Sequence, residues 1–240
     1  MPGYLALSNQ YDSYFSEEYL LKIKKKYHIA LFKNGIKSGK ILDAGCGTGL
    51  LAIYFKDHGY DTMGVDLSRE MIEIAKSKRP DIPFYVSDIS ESLPEDKYDA
   101  VLSSLDVVNH ITSADKVKAF FENAFEHLNV NGAFIFDVNT YKKFSKEYAH
   151  QRYVYSSHHS LCVWDNDFDK ENSLCRFRLK IYEKQDEKYN GREEEFCEKY
   201  YSYQTLKLWL LSVGFSDISF KSIDNGTRYI VTAIKKREKS

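Results

Sequence analysis

Long apolar runs are missing from this 240-residue chain: no stretch approaches the ~18 apolar residues that a membrane-spanning helix requires. The first residues lack the basic-then-apolar pattern of a secretion signal. The four cysteines, Cys46, Cys162, Cys175 and Cys197, form no CxxC pair and no metal-ligand spacing, so no metal site is expected. Together these absences predict a cytoplasmic protein with reduced thiols and no membrane contact. A surplus of basic charge is missing as well. The formal net charge is −1, whereas a protein that grips a nucleic-acid backbone needs a concentrated basic surface to neutralise phosphates. The run Lys22, Lys24, Lys25, Lys26 and the tail Lys235, Lys236, Arg237, Lys239 read as solvated faces. No internal repeat or low-complexity linker divides the chain.

What is present fits one globular core with an elaboration. Hydrophobic residues make up 43% and charged residues 29%, an ordinary balance. The surplus is aromatic, with 19 Tyr and 15 Phe, which suits pockets, β-faces and interfaces. Residues 11–33 carry apolar side chains at helical spacing. Lys40 to Ala44 reads as a buried strand, and a helical pattern follows from Leu50. Strands are expected at Asp61–Asp66, Pro83–Val86, Tyr98–Leu102 and Ala133–Phe136. Between them Ser68 caps a helix whose inner face is Met71, Ile72 and Ala75, and a second helix spans Asp115 to Leu128. Strands and helices alternating at these lengths predict an α/β fold with a mostly parallel sheet covered on both faces.

The pattern changes between residues 147 and 200. Cys175, Phe177, Leu179 and Ile181 alternate with Arg176, Arg178, Lys180 and Tyr182, and Asn190-Gly191 signals a hairpin turn. This stretch is expected to be a small antiparallel β insertion that roofs the active site, contacts a second subunit in a homodimer, or both. Residues 1–146 and 201–240 then form the core. Its last parts are a helix over Ser202–Val213 closed by Gly214, and strands at Asp217–Ile223 and Thr227–Ile234. Adjacent His158 and His159 point to opposite faces of any strand, and Arg176 and Arg178 read as a solvated face.

The chemistry is concentrated in Ile41-Leu42-Asp43-Ala44-Gly45-Cys46-Gly47-Thr48-Gly49. A glycine loop between strand and helix lets a ligand approach the backbone. Dinucleotide-binding sheets use such a loop to seat pyrophosphate on the helix N-terminus. Here an acid stands directly ahead of the loop. Asp43 would repel a pyrophosphate but suits the ammonium of a methionine moiety, which argues for S-adenosylmethionine over a nicotinamide dinucleotide. Asp66 follows twenty-three positions later and Asp88 a further twenty-two. Each is placed at the end of a predicted strand, where the first can accept from ribose hydroxyls and the second from the adenine amine. A helix N-cap would explain any one of the three acids, but the set points to a ligand.

This constellation resembles the class I, Rossmann-like S-adenosylmethionine-dependent methyltransferases. The resemblance covers residues 40–139 well. It implies a seven-stranded, mostly parallel sheet and a cofactor converted to S-adenosyl-L-homocysteine. It places Ala44, Gly45, Cys46 and Gly47 with Asp43 along the methionine part, and Asp66 with Leu67 and Met71 at the ribose. Asp88 and Ile89 border the adenine, while Tyr14 and Ser104 complete the lining. Within that family the chain looks like bacterial sugar N,N-dimethyltransferases. The shared features are Tyr11-Asp12, the stretch Ser103-Ser104-Leu105-Asp106-Val107-Val108-Asn109-His110, and the insertion after the fifth strand.

The acceptor of such an enzyme meets the methyl group beside the fourth strand. The Asn/Asp-Pro-Pro-aromatic signature of nucleobase-amine enzymes and the Pro-Cys nucleophile of cytosine carbon-5 enzymes are both absent there. A small-molecule acceptor, methylated on nitrogen or oxygen by direct displacement, is therefore expected. An RNA-modifying enzyme and a non-catalytic binding module are the alternatives. His110 is the first candidate for removing the acceptor's proton, since imidazole titrates near neutrality. Asp106 is the second. Tyr11 and Tyr14 could close over the sulfonium as part of an N-terminal helical lid.

Overall fold

The computed structural model describes residues 16–156, 160–185 and 188–237. Tyr11, Tyr14, the expected lid, His158 and His159 lie outside the described residues.

Serine starts four of the helices by one mechanism. Ser16, Ser68, Ser113 and Ser202 sit in extended backbone, and each hydroxyl accepts a bond from the N–H three residues on. These caps open α1 (Glu17–Lys33), α3 (Arg69–Lys78), α5 (Ala114–His127) and α6 (Tyr203–Val213). Gly214, at φ 112°, closes α6 as expected. The helix α2 (Leu50–Asp57) begins differently, on Gly49 with no side-chain cap. A single turn, α4 (Val107–His110), has no separate signal in the sequence.

Seven strands form the central sheet: β1 (Lys40–Ala44), β2 (Asp61–Asp66), β3 (Phe84–Val86), β4 (Tyr98–Ser103), β5 (Leu128–Asn139), β10 (Ser216–Ile223) and β11 (Arg228–Ile234). Their order is β10-β11-β5-β4-β1-β2-β3, with β11 antiparallel to both neighbours and the rest parallel. Pleating sends alternate residues to opposite layers. Leu42, Val101, Phe134 and Phe136 pack against α5 and α6 residues such as Phe120, Phe121 and Leu210. Ile41, Ala100, Leu102 and Ile135 pack against Ile23, Tyr27, Leu31 and Phe55 on the other side. The chain passes from β1 outward to β3, then returns to the far side of β1 for β4. The crevice beside the carboxyl ends of β1 and β4 is thus the switch point where open sheets of this kind bind ligands.

The insertion is a separate four-stranded antiparallel sheet, in the order β6 (Arg152–Ser156), β7 (Ser160–Asp169), β8 (Leu174–Gln185), β9 (Lys188–Lys199). A π-helical turn, Lys143–Tyr148, lies between it and β5. Cys175, Phe177, Leu179 and Ile181 face inward as the alternation predicts, joined by Phe144 and Phe168. Arg176 and Arg178 lie outward near Glu195, at 3.6 and 3.5 Å. The expected turn is corrected. Asn190 and Gly191 lie inside β9, opposite Glu183 and Tyr182, and the strands pair out to Gln185 and Lys188. The glycine serves cross-strand packing instead: a Cβ there would stand 2.9 Å from the Tyr182 ring.

Candidate active site

The loop after β1 is pinned from below. The Gly45 and Cys46 amides both donate to the Val65 carbonyl of β2, at 2.8 and 2.9 Å. Gly45 (φ 78°) has no room for a side chain, because a Cβ would lie 2.7 Å from both Val107 methyl groups. Gly47 (φ 52°) differs, with no heavy atom within 4 Å of its Cβ position. One glycine seals the loop against Val107 of α4, and the other leaves an open cradle over backbone. Gly45→Ala is expected to lower stability by about 1–2 kcal/mol through the left-handed backbone alone, with more lost from Val107. Chemical denaturation measures this; a stability equal to wild type would contradict the seal.

The three acids do not share one environment. Asp43 is enclosed, 1% exposed; its Oδ2 accepts from the Ala52 amide of α2 at 3.0 Å, while its buried Oδ1 has no partner. Burial, reinforced by Asp66 and opposed by the Ala52 bond, pushes its pKa up to about 7. Asp66 is half-buried at the end of β2. Its Oδ2 accepts from Gly47 N and its Oδ1 from Ser68 N, both at 2.8 Å, so it ties the cradle to the start of α3. Each oxygen keeps a further lone pair for a hydroxyl donor. Asp88 stands two residues beyond the end of β3 and is already engaged. Ser90 donates twice to its Oδ1 and Lys116 reaches its Oδ2 at 2.9 Å, and these partners outweigh burial to hold its pKa low. Around them Ala44, Cys46, Met71 and Ile89 are buried, and Leu67 is exposed. The Cys46 thiol is pushed well up by burial and by Asp43 and Asp66, which leaves it unreactive.

The raised Asp43 has a stability consequence. Its folded pKa exceeds its unfolded one, so the folded chain holds the extra proton between about pH 4 and 7 and loses stability as pH rises through that window. Asp43→Asn removes the ionisable group. The variant should be more stable than wild type at pH 8 by on the order of 1–3 kcal/mol, with the gap closing by pH 4. Melting curves at the two pH values check this; a gap independent of pH would contradict it.

Across the switch point the chain leaves β4 through two consecutive left-handed residues, Leu105 (φ 59°) and Asp106 (φ 58°). Such backbone costs energy unless its surroundings impose it. Asp137 imposes it here. This carboxylate at the end of β5 is fully buried and accepts from Leu105 N at 2.8 Å, Asp106 N at 3.2 Å and the Tyr27 hydroxyl at 2.6 Å. Arg228, first residue of β11, binds both Asp137 and Asp106, the latter at 3.3 Å. Asp106 occupies the cap position of α4, yet its side chain does not cap the helix. Its Oδ2 accepts from Asn139 Nδ2 at 2.6 Å, and the same nitrogen donates to Glu198 Oε2 of β9 at 3.0 Å.

His110 ends α4 with its ring 5.5 Å from that of Phe196 in β9. Burial lowers its pKa, Asp106 raises it and Arg228 lowers it again, with a net fall. Asn109 fastens the same turn to both sheets, accepting from Asn139 N and donating to the Lys199 carbonyl, each at 2.8 Å. The loop after β1 and the turn after β4 meet where Gly45 faces Val107, one residue after Asp106 in the turn that ends at His110. Arg228, Asp137, Asn139, Glu198, Tyr27 and Tyr148 belong to the same region and were not anticipated. Asp137 and Asn139 offered a signal, as polar residues ending an apolar strand beside the switch point. Glu198 shares a strand face with Phe196. Arg228 offered none.

A mostly parallel sheet with a glycine cradle at its switch point, followed by an acid at the end of the next strand, has the arrangement in which open α/β sheets bind ligands. Residues 41–132 match the model of a methyltransferase domain. A ubiquinone biosynthesis O-methyltransferase of Rickettsia typhi is 33% identical over 131 residues, 52% of this chain and 50% of its own length. A dTDP-3-amino-3,4,6-trideoxy-alpha-D-glucopyranose N,N-dimethyltransferase of Streptomyces venezuelae is 27% identical over 99 residues, 41% of this chain and 42% of its own. The chain thus spans about half the length of these relatives or less. In fold it is similar to an S-adenosylmethionine-dependent methyltransferase from Clostridium acetobutylicum ATCC 824, with a TM-score of 0.82, 24% identity, and 91% of this chain and 92% of that one covered. Residues 41–132 thus resemble a methyltransferase domain, and the fold is that of S-adenosylmethionine-dependent methyltransferases. Among the described residues, no helix is long and apolar enough to cross a membrane.

Proposed function

We propose that the chain methylates a nitrogen or oxygen of a small molecule held at the end of β4, beneath the insertion sheet. The observation that carries this reading is the open cradle at Gly47, bordered by Asp66, on a loop whose strand β1 pairs with β4, the strand that leads to Asp106 and His110. S-Adenosylmethionine, when bound, supplies a methyl carbon that the acceptor atom bonds as the C–S bond breaks and its electron pair stays on sulfur, leaving S-adenosyl-L-homocysteine. Gly47 leaves space for the methionine part against backbone, and the unpartnered Asp43 oxygen sets a negative end to the loop. Asp66 holds the ribose through its remaining lone pairs, with Leu67 and Met71 beside it, and Ile89 borders the adenine. Asp88, already bound by Ser90 and Lys116, is the weakest fit of the set.

His110 takes the acceptor's proton. Its lowered pKa keeps the imidazole neutral, hence basic, at physiological pH. Asp106 stabilises the imidazolium that forms, and the rigid turn through Leu105 aligns the acceptor for displacement. The net charge of −1 and the absence of the nucleobase-amine signature disfavour an RNA acceptor. The test is incubation with S-adenosylmethionine carrying a labelled methyl group and a fractionated metabolite extract, following label by mass. Label in a low-molecular-weight product is expected. Label confined to RNA or protein, or in no product, would contradict the proposal.

A further inference from the structure

His28 and His58 stand together at the end of the sheet away from the cofactor loop, and methyl transfer uses neither. His28 is half-buried on α1, and His58 is exposed where α2 stops, just before β2 begins. Their ring centres are 5.2 Å apart, with the planes at 86°. Two imidazoles that share one tetrahedral zinc, each bound through a nitrogen about 2.0–2.1 Å from the ion, have centres about 5 Å apart. The observed spacing agrees. Because the two rings come from different helices, no spacing in the sequence announces them.

One residue orients both rings. The Tyr54 carbonyl accepts from His58 Nδ1 at 2.7 Å, so that nitrogen carries the hydrogen and Nε2 keeps the lone pair. The Tyr54 hydroxyl lies 3.2 Å from His28 Nδ1, and its ring centre is 4.0 Å from that of His58. With His28 Nδ1 donating to this hydroxyl, its Nε2 presents a lone pair as well. A histidine that ligates a metal gives its other N–H to just such an oxygen, which fixes the tautomer and the direction of the ring. Packing accounts for His28 against Phe55 and Tyr60, at 5.6 and 5.9 Å. It does not call for a second, exposed histidine held by the same tyrosine.

We propose that His28 and His58 form a binding site for a divalent transition metal of the zinc or copper type, held through Nε2 of each ring. Imidazole suits these ions, whereas magnesium and calcium take oxygen ligands. Among the described residues no third His, Cys, Asp or Glu joins the pair, so water completes the coordination and the ion exchanges. It bridges α1, whose Tyr27 hydroxyl donates to Asp137 and the Ser103 carbonyl, to α2, which follows the glycine cradle. The ion is thus a staple between two helices that support the site, and takes no part in the reaction.

The test uses zinc chloride as the probe in thermal melts slightly above neutral pH, with magnesium chloride at equal concentration as the control. Zinc is expected to raise Tm, because an ion bound by the folded chain alone stabilises it. EDTA should reverse the rise, and magnesium should give none. His58→Ala, at an exposed position, is expected to lose the rise while its affinity for S-adenosylmethionine stays that of wild type. Tyr54→Phe keeps the carbonyl and removes the hydroxyl, so calorimetric zinc affinity should fall about 10–100-fold. Copper(II) on the wild-type protein should show electron-spin coupling to two nitrogens, and on His58→Ala to one. No rise in wild type, or an equal rise in His58→Ala, would overturn the site. Copper coupled to a single nitrogen in wild type would overturn it too, and that reading decides the matter should the variant fail to fold.

Discussion

Arg228→Met is expected to destabilise the protein by about 3–5 kcal/mol, because it leaves buried carboxylates without their cation. Arg228 is 6% exposed and Asp137 is not exposed at all. Removing the guanidinium strands Asp137 as a charge held only by neutral donors: Tyr27 and two backbone amides. Pairing it with Asp137→Asn removes both charges and should recover part of the stability, since the cost lies in the unpaired ion more than in the lost attraction. Urea denaturation of the single and double variants measures both effects. A single variant within about 1 kcal/mol of wild type, or a double variant whose losses simply add, would show that the pair is not a unit.

His110→Ala is expected to lower turnover by about 10²–10⁴-fold, the usual worth of a positioned base, with little change in affinity for S-adenosylmethionine. The pH profile adds a sign. Burial lowers the pKa of His110 below 6.5, so the acid limb of activity should lie below that value in wild type. Asp106 opposes the fall and Arg228 adds to it. Removing the Asp106 charge in Asp106→Asn should move the limb to still lower pH, whereas Arg228→Met should move it upward. Rate profiles of the variants test this. An intact rate in His110→Ala would mean that alignment alone suffices and that no base is needed.

These residues show what a sequence can and cannot reveal. The strands β1 and β2, the Ser68 cap and the Gly214 stop were legible because each depends on neighbours within a few positions. The cradle was legible for the same reason, since glycine spacing and the preceding acid are local. The expected four-residue strand at Ala133–Phe136 extends over Leu128–Asn139, because pairing with β11 continues through Asp137 and Asn139 and Leu128 pairs with Tyr98 of β4. Polar residues conceal that extension. In β9, Asn190-Gly191 carries a turn signal overridden by the register with β8. The charged network lay furthest from view. Tyr27, Asp137 and Arg228 are separated by about a hundred residues each, and only the adjacency of β5, β11 and α1 joins them.

Parallel calorimetric titrations with S-adenosylmethionine and with reduced nicotinamide dinucleotide test most directly whether an acid-led glycine loop selects a sulfonium nucleoside. Saturable binding of the first and none of the second is expected, with Asp66→Ala weakening the first by about 1–3 kcal/mol. Binding of the dinucleotide without binding of S-adenosylmethionine would contradict the account.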